Sequence, residues 1–412
     1  MSHRWRNLAA SCAIALLLLT TLGLGCGGGN GDGGKVVIVV GDITDMTGVA
    51  ATALVPMLWG IEDTADYINQ HDPIPGVTLK VVHYDARYDP SRDIPGLEWC
   101  ISKGARVIST PLPSTADTLK AQAERSKVPV FTWASSDAMV TPPGWVFCNN
   151  PQSGRMIKAH LEWISENDPK FLALGRPARI GAAGWQEPYQ IDVTKGLEEY
   201  CAANSDKFDF VAGFLTPQGT VSWSGEVATL VDCDYVLLPG TGNGITTFAK
   251  QFRQKGGTAT FIDLDAVPAY KGLLLDAVGW DWMDGTLTST VAGWWTDGLS
   301  LTDLALEIVY QYRPDEAQEM IDAGIGYMGG ITGNVPFFDI IRKAVEQVGA
   351  ENFDGQAFYD AAITFSKTYE GYREWSFTST KRNLASHVIC YEWSKDAGDL
   401  VRVGEWQAVP DS

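Results

Sequence analysis

Ser114 stands where a helix should begin, and Ser135-Ser136 stands where the following strand ends, both within residues 107–136. That stretch reads strand, loop, helix, strand, loop. Ser114-Thr115-Ala116-Asp117 fits a capping box, in which the serine hydroxyl and the carboxylate three residues on each cover a free backbone N–H. A helix start presents unpaired N–H groups and the positive end of a dipole, so a small carboxylate can sit there without a charged side chain. The same serines also suit plain caps and turns, where serine is common.

Other chemistry is thinly signalled. Gly240-Thr241-Gly242-Asn243-Gly244 lacks the full glycine fingerprint of a dinucleotide site. Acidic residues are too numerous for any pair to stand out as a glycosidase dyad. The seven cysteines form no CxxC pattern, and His71, His83, His160 and His387 show no ligand spacing. Neither a metal site nor a cofactor is expected. A net charge of −19 argues against nucleic acid, which needs clustered Lys and Arg to neutralise phosphate.

The first 26 residues read as an export signal. Arg4 and Arg6 precede an apolar core at residues 9–22 that is too short to span a bilayer. Leu22-Gly23-Leu24-Gly25-Cys26 resembles a bacterial lipobox, which implies lipidation of Cys26 and a membrane anchor. The glycine-rich residues that follow would be a flexible tether. Five cysteines then remain in an oxidising compartment, and Cys201 with Cys233 is the pair expected to bridge.

The elements that must position these residues alternate. From Val36 on, apolar runs and amphipathic stretches follow each other every 25–35 residues or so, the mark of βα units and a parallel sheet. Strands are expected at 36–40, 77–84, 107–110, 128–133 and 146–148, and again at 178–183, 208–214, 235–238 and 260–262. Helices fall between them. Long helices follow near 300–312, 336–348 and 355–363, and residues 372–403 alternate as a hairpin whose Trp375, Phe377, Tyr391 and Trp393 would pack a sheet face. Two successive series suggest two similar lobes whose strand ends face across a cleft.

In unit order and in several loops the chain resembles the type I periplasmic binding proteins, the branched-chain amino-acid (Leu/Ile/Val) group that serves ABC importers. Thr47-Gly48-Val49-Ala50 is similar to the first-loop motif, and residues 81–90 to the second strand and its aspartate-proline turn. Residues 234–242 are similar to the second-lobe strand and glycine loop that bear Thr241, and residues 337–350 to a late helix of lobe one. The resemblance implies an α/β fold of two Rossmann-like lobes joined by a three-strand hinge, with crossings near Pro151, Gly285 and Gly371. By that division residues 1–25 are signal and 26–35 lipidated cysteine and tether. Lobe one is 36–151 plus 286–371, and lobe two 152–285 plus 372–412.

The resemblance further implies a ligand carboxylate held by Ser114, Thr115, Ser135 and Ser136, and an ammonium group held by Asp265, with Asp263 as its near competitor. Tyr189, or Trp185 in its place, would lie over the ligand, and Thr241 would belong to the same cleft. It implies a monomeric, extracytoplasmic solute-binding lipoprotein that takes an amino acid, an amide or an aromatic acid to a permease and ATPase complex, with no catalysis. Two rivals stay open: a sensor presenting ligand to a membrane receptor, and an exported α/β enzyme.

Overall fold

Strands covered on both faces read as continuous apolar runs, and five of them build the first sheet in a computed structural model that describes residues 34–410. They are β1 (Val36–Thr44), β2 (Val77–Asp85), β3 (Ala105–Thr110), β4 (Val130–Thr132) and β5 (Val146–Cys148). All pair in parallel, in the order β2-β1-β3-β4-β5. A second series follows: β6 (Ala178–Trp185), β7 (Phe208–Thr216), β8 (Tyr235–Leu237), β9 (Thr260–Leu264) and β10 (Leu287–Thr290). Its parallel order is β7-β6-β8-β9-β10, the same pattern one series later. The two-lobed α/β architecture expected from the sequence is therefore present.

Each sheet centres on side chains removed from water. Val40, Val107, Val130 and Phe147 are fully buried in the first, and Ile180, Val236, Phe261 and Ile262 in the second. Burying a side chain of this size contributes about 1.5–3 kcal/mol, so these strands set the register of the loops at their ends. The described residues from Val36 on form one compact unit, with the lobes in contact.

The crossings differ from expectation in two places of three. The first passes Pro151, where Ser135 and Gln152 form a bridge. The second does not fall at Gly285, because β10 pairs with β9 and stays in the second sheet as far as Thr290. The third does not fall at Gly371. β11 (Ser366–Lys367) before it and β12 (Trp375–Ser376) beyond it form a small ribbon, and the Phe377 ring still packs on Phe131 and Phe147 of the first lobe. The chain returns alongside β5, where Cys148 bridges Asn383, and then enters β13 (His387–Ser394). β13 adds antiparallel to β10, followed by β14 (Asp399–Arg402), and β15 (Gln407–Ala408) also pairs with β13.

Two local expectations fail for physical reasons. The helix Pro113–Ser126 starts one residue early, because Pro113 takes the first helical position, where its fixed φ and missing N–H cost nothing. Leu112 is then the cap residue, no side chain caps the helix, and the Ser114 box does not form. Cys201 and Cys233 do not bridge; all five cysteines among the described residues are free and buried. Burial pushes the Cys201 thiol up to about 12 and that of Cys233 to about 11, as small apolar fillers rather than reactive thiols. The export signal, Cys26 and most of the tether lie outside the described residues.

Candidate functional site

A cleft lies between the carboxyl ends of the two sheets, the place where open parallel sheets bind ligands. The first lobe supplies Ala50 and, from the helix Ala51–His71, Ala53, Leu54 and Met57. Tyr88 comes from the turn after β2, Pro111, Leu112 and Pro113 from the loop after β3, and Trp133 and Ala134 from the loop after β4. Ile325 and Gly326 close that wall at the start of the helix Gly326–Thr332.

The second lobe supplies Glu187 and Tyr189 after β6, Gly240 and Thr241 after β8, and Asp265, Ala266, Ala269 and Tyr270 after β9. No Lys, Arg or His is among these lining residues.

Side chains from both lobes meet on two carboxyl groups. Glu187 is buried and accepts from the Tyr88 hydroxyl of the opposite lobe and, at 2.8 Å, from Thr241 Oγ1. Asp265 accepts at 3.0 Å from Trp133 Nε1 across the cleft, and from Asn150 Nδ2 at the first crossing. Its other oxygen, Oδ1, has no hydrogen-bond partner although Asp265 is only 3% exposed. Leaving such an acceptor unpaired in a low-dielectric site costs about 1–3 kcal/mol or more, so it marks a place where a donor is wanted.

Burial raises both acids. Glu187 is raised from its ordinary value and Asp265 is pushed up to about 6, the Trp133 donor acting the other way. Asp263 sits deeper, holding Thr288 Oγ1 at 2.7 Å, and does not line the cleft.

The walls are held by loops that satisfy themselves. The Asp45 carboxylate accepts from the N–H groups of Thr47, Gly48 and Ala50, which fixes the entry to the 51–71 helix. Asp85 accepts from Met46 N at 2.9 Å and Thr47 Oγ1 at 2.7 Å. The Thr47-Gly48 motif is thus structural. Trp133 packs flat on a glycine surface: a Cβ at Gly329 would lie 2.2 Å from its Cη2. Likewise, a Cβ at Gly242 would lie 2.5 Å from the Val49 carbonyl oxygen, so the two lobes touch through bare backbone there.

Of the residues expected from the sequence, Tyr189, Thr241 and Asp265 come together on the cleft. Ser114, Thr115, Ser135, Ser136 and Trp185 lie off its lining. Thr115 turns into the first lobe and donates to Asp93 at 2.9 Å. Ser135 accepts from Asn383 at 2.8 Å in the hinge, and buried Ser136 precedes the helix Asp137–Val140. Ser114 is partly exposed, and where a hydroxyl was expected the wall presents Pro111, Leu112 and Pro113. The Trp185 indole donates to the Thr220 carbonyl at 2.9 Å. Glu187, Tyr88, Trp133 and Tyr270 were not anticipated; a Glu-Pro-Tyr run directly after a predicted strand was the available signal for Glu187.

Comparison with known proteins agrees with this geometry. The family model described as periplasmic binding protein matches residues 37–398. No curated protein matches the chain by sequence. Among solved structures, a branched-chain amino-acid ABC transporter protein of Thermus thermophilus with bound valine is 17% identical, with a TM-score of 0.75 over 90% of this chain and 97% of that one. A fatty acid ABC transporter substrate-binding protein from Thermomonospora curvata is 16% identical, with a TM-score of 0.74 over 91% of this chain and 93% of that one. A solute-binding protein from Rhodopseudomonas palustris, solved with p-hydroxybenzoic acid, is 15% identical, with a TM-score of 0.73 over 91% and 98%. At such identities the likeness is one of fold.

Proposed function

Since the chain belongs to the periplasmic binding protein family, we propose that it is the extracytoplasmic solute-binding component of an ABC importer, delivering a small nitrogen-bearing solute such as an amino acid or an amide to a permease. The observation that carries this reading is the unpaired Oδ1 of buried Asp265, which lines a cleft walled by both lobes. A solute that donates there satisfies the acceptor, and its apolar body rests on Leu54, Met57 and Ile325.

Closure of the lobes supplies the rest. Tyr88 with Glu187 and Trp133 with Asp265 are hydrogen bonds between lobes, so each counts only while the cleft is shut. A hydrogen bond to a charged group contributes about 1.5–3 kcal/mol, enough for a bound solute to tip an open form to a closed one. The sequence of Cys26 and its flank supports lipid anchoring, which would keep the body near its permease.

The test is a thermal-shift panel of amino acids, amides, amines and small acids with the mature protein. A ligand that binds only the folded state raises Tm by mass action. At least one member should do so and be recovered unchanged. Consumption of that member, or silence across the whole panel, would overturn the solute-binding reading.

A further inference from the structure

The geometry points to an organic ammonium ion without a carboxylate as the solute of this cleft, its nitrogen held between Asp265 and Glu187 and boxed by aromatic rings. The inference deepens the solute-binding reading above and rests on it.

Three observations converge. First, the lining carries two buried acids and no cation, so an anion would meet two carboxyl groups with nothing to offset them. Second, the turn after β3 that could have taken a carboxylate faces the cleft with Pro111, Leu112 and Pro113 and with no side-chain hydroxyl. Pro111 and Pro113 have no N–H, the Leu112 N–H is spent on Thr110 Oγ1 at 3.2 Å, and Thr115 points away to Asp93. Third, four aromatic residues, Tyr88, Trp133, Tyr189 and Tyr270, line the same space as the two acids. The faces of such rings attract alkylated ammonium groups, and an aromatic cage with a carboxylate is how quaternary and methylated amines are held. The unpaired Asp265 Oδ1 gives the nitrogen its nearest anchor. Glu187, which already accepts one bond on each oxygen, adds charge rather than a vacant position.

The experiment uses matched probes of one apolar body: phenethylamine and its trimethylammonium form, phenylalanine, 3-phenylpropionate and the neutral 3-phenylpropanamide. Affinities are read by calorimetry on wild type, Asp265→Asn and Glu187→Gln, with circular dichroism to confirm that both variants fold. The amine or its trimethyl form should bind best, and phenylalanine and the acid at least tenfold more weakly. Removing either charge should weaken the amine by roughly 30-fold or more, as loss of a buried charge partner does. A preference for the acid or the amino acid, or amine binding indifferent to both variants, would overturn the inference. Either result leaves the solute-binding reading standing, which falls if nothing in the wider panel binds or if the member that binds is consumed.

Discussion

The two walls of the cleft are built alike, from loops at the carboxyl ends of two sheets with the same strand order, yet they present opposite surfaces. The first wall is apolar and aromatic. Two of its aliphatic hydroxyls face inward, Thr115 to Asp93 and Ser109 to Asn334 at 2.8 Å. The second wall carries both acids and the hydroxyl of Thr241, all within reach of the gap. The topology repeats and the chemistry does not. The acids of the cleft therefore sit on the second lobe, while the first presents an apolar surface and two donors, Tyr88 and Trp133, that reach across.

The largest expected effect breaks that division at its centre. Asp265→Ala should weaken binding of a nitrogen-bearing solute by at least about 30-fold, measured by calorimetry. Next comes the first lobe's donor: Tyr88→Phe leaves Glu187 with Thr241 alone, and should cost about tenfold in affinity and lower the closed population seen by small-angle scattering. Gly329→Ala drives a methyl group into the Trp133 ring, and should cost about 1–3 kcal/mol in denaturant unfolding, since a packed surface does not yield freely.

Acidity sharpens the comparison further. Burial raises Asp265 to about 6, above its value in an unfolded chain, so the folded form holds this proton more tightly. The stability that follows is fully present below about pH 4 and is lost as pH rises through about 6. Ligand-free Tm should then fall between pH 4 and 7, while the Tm rise given by an ammonium solute should grow over the same interval. The smallest effect belongs to the first wall's hydroxyl: Thr115→Ala should change affinity by less than about twofold, while costing about 1 kcal/mol through the buried Asp93 it leaves short of a donor.

Much of the fold was legible because buried parallel strands write themselves as apolar runs; β1, β6 and β9 stand out in this way. The crossings were less so. Thr288 and Thr290 look polar enough to belong to a loop, yet they are strand residues paired to β9 and β13. The helix Gly326–Thr332 was invisible for a similar reason, since Gly329 and Gly330 are poor helix formers. They are kept because Trp133 and the 51–71 helix press against them.

At the site, Asp265 was reached through resemblance, whereas Glu187 was not singled out. Its partner Tyr88 is 99 residues away in the chain, and only the short Glu187-Pro188-Tyr189 run sets it apart locally among fifty acidic residues. The Ser114 cap misled because Pro113 outranks it as a helix start.

The most direct measurement is a crystal structure of the protein with the tightest-binding amine of the matched series. The account predicts its nitrogen within hydrogen-bond reach of Asp265 Oδ1, beside Glu187, with the apolar body against Leu54, Met57 and Ile325. A nitrogen placed away from both acids, or a ligand seated on the Pro111–Thr115 turn instead, would contradict it.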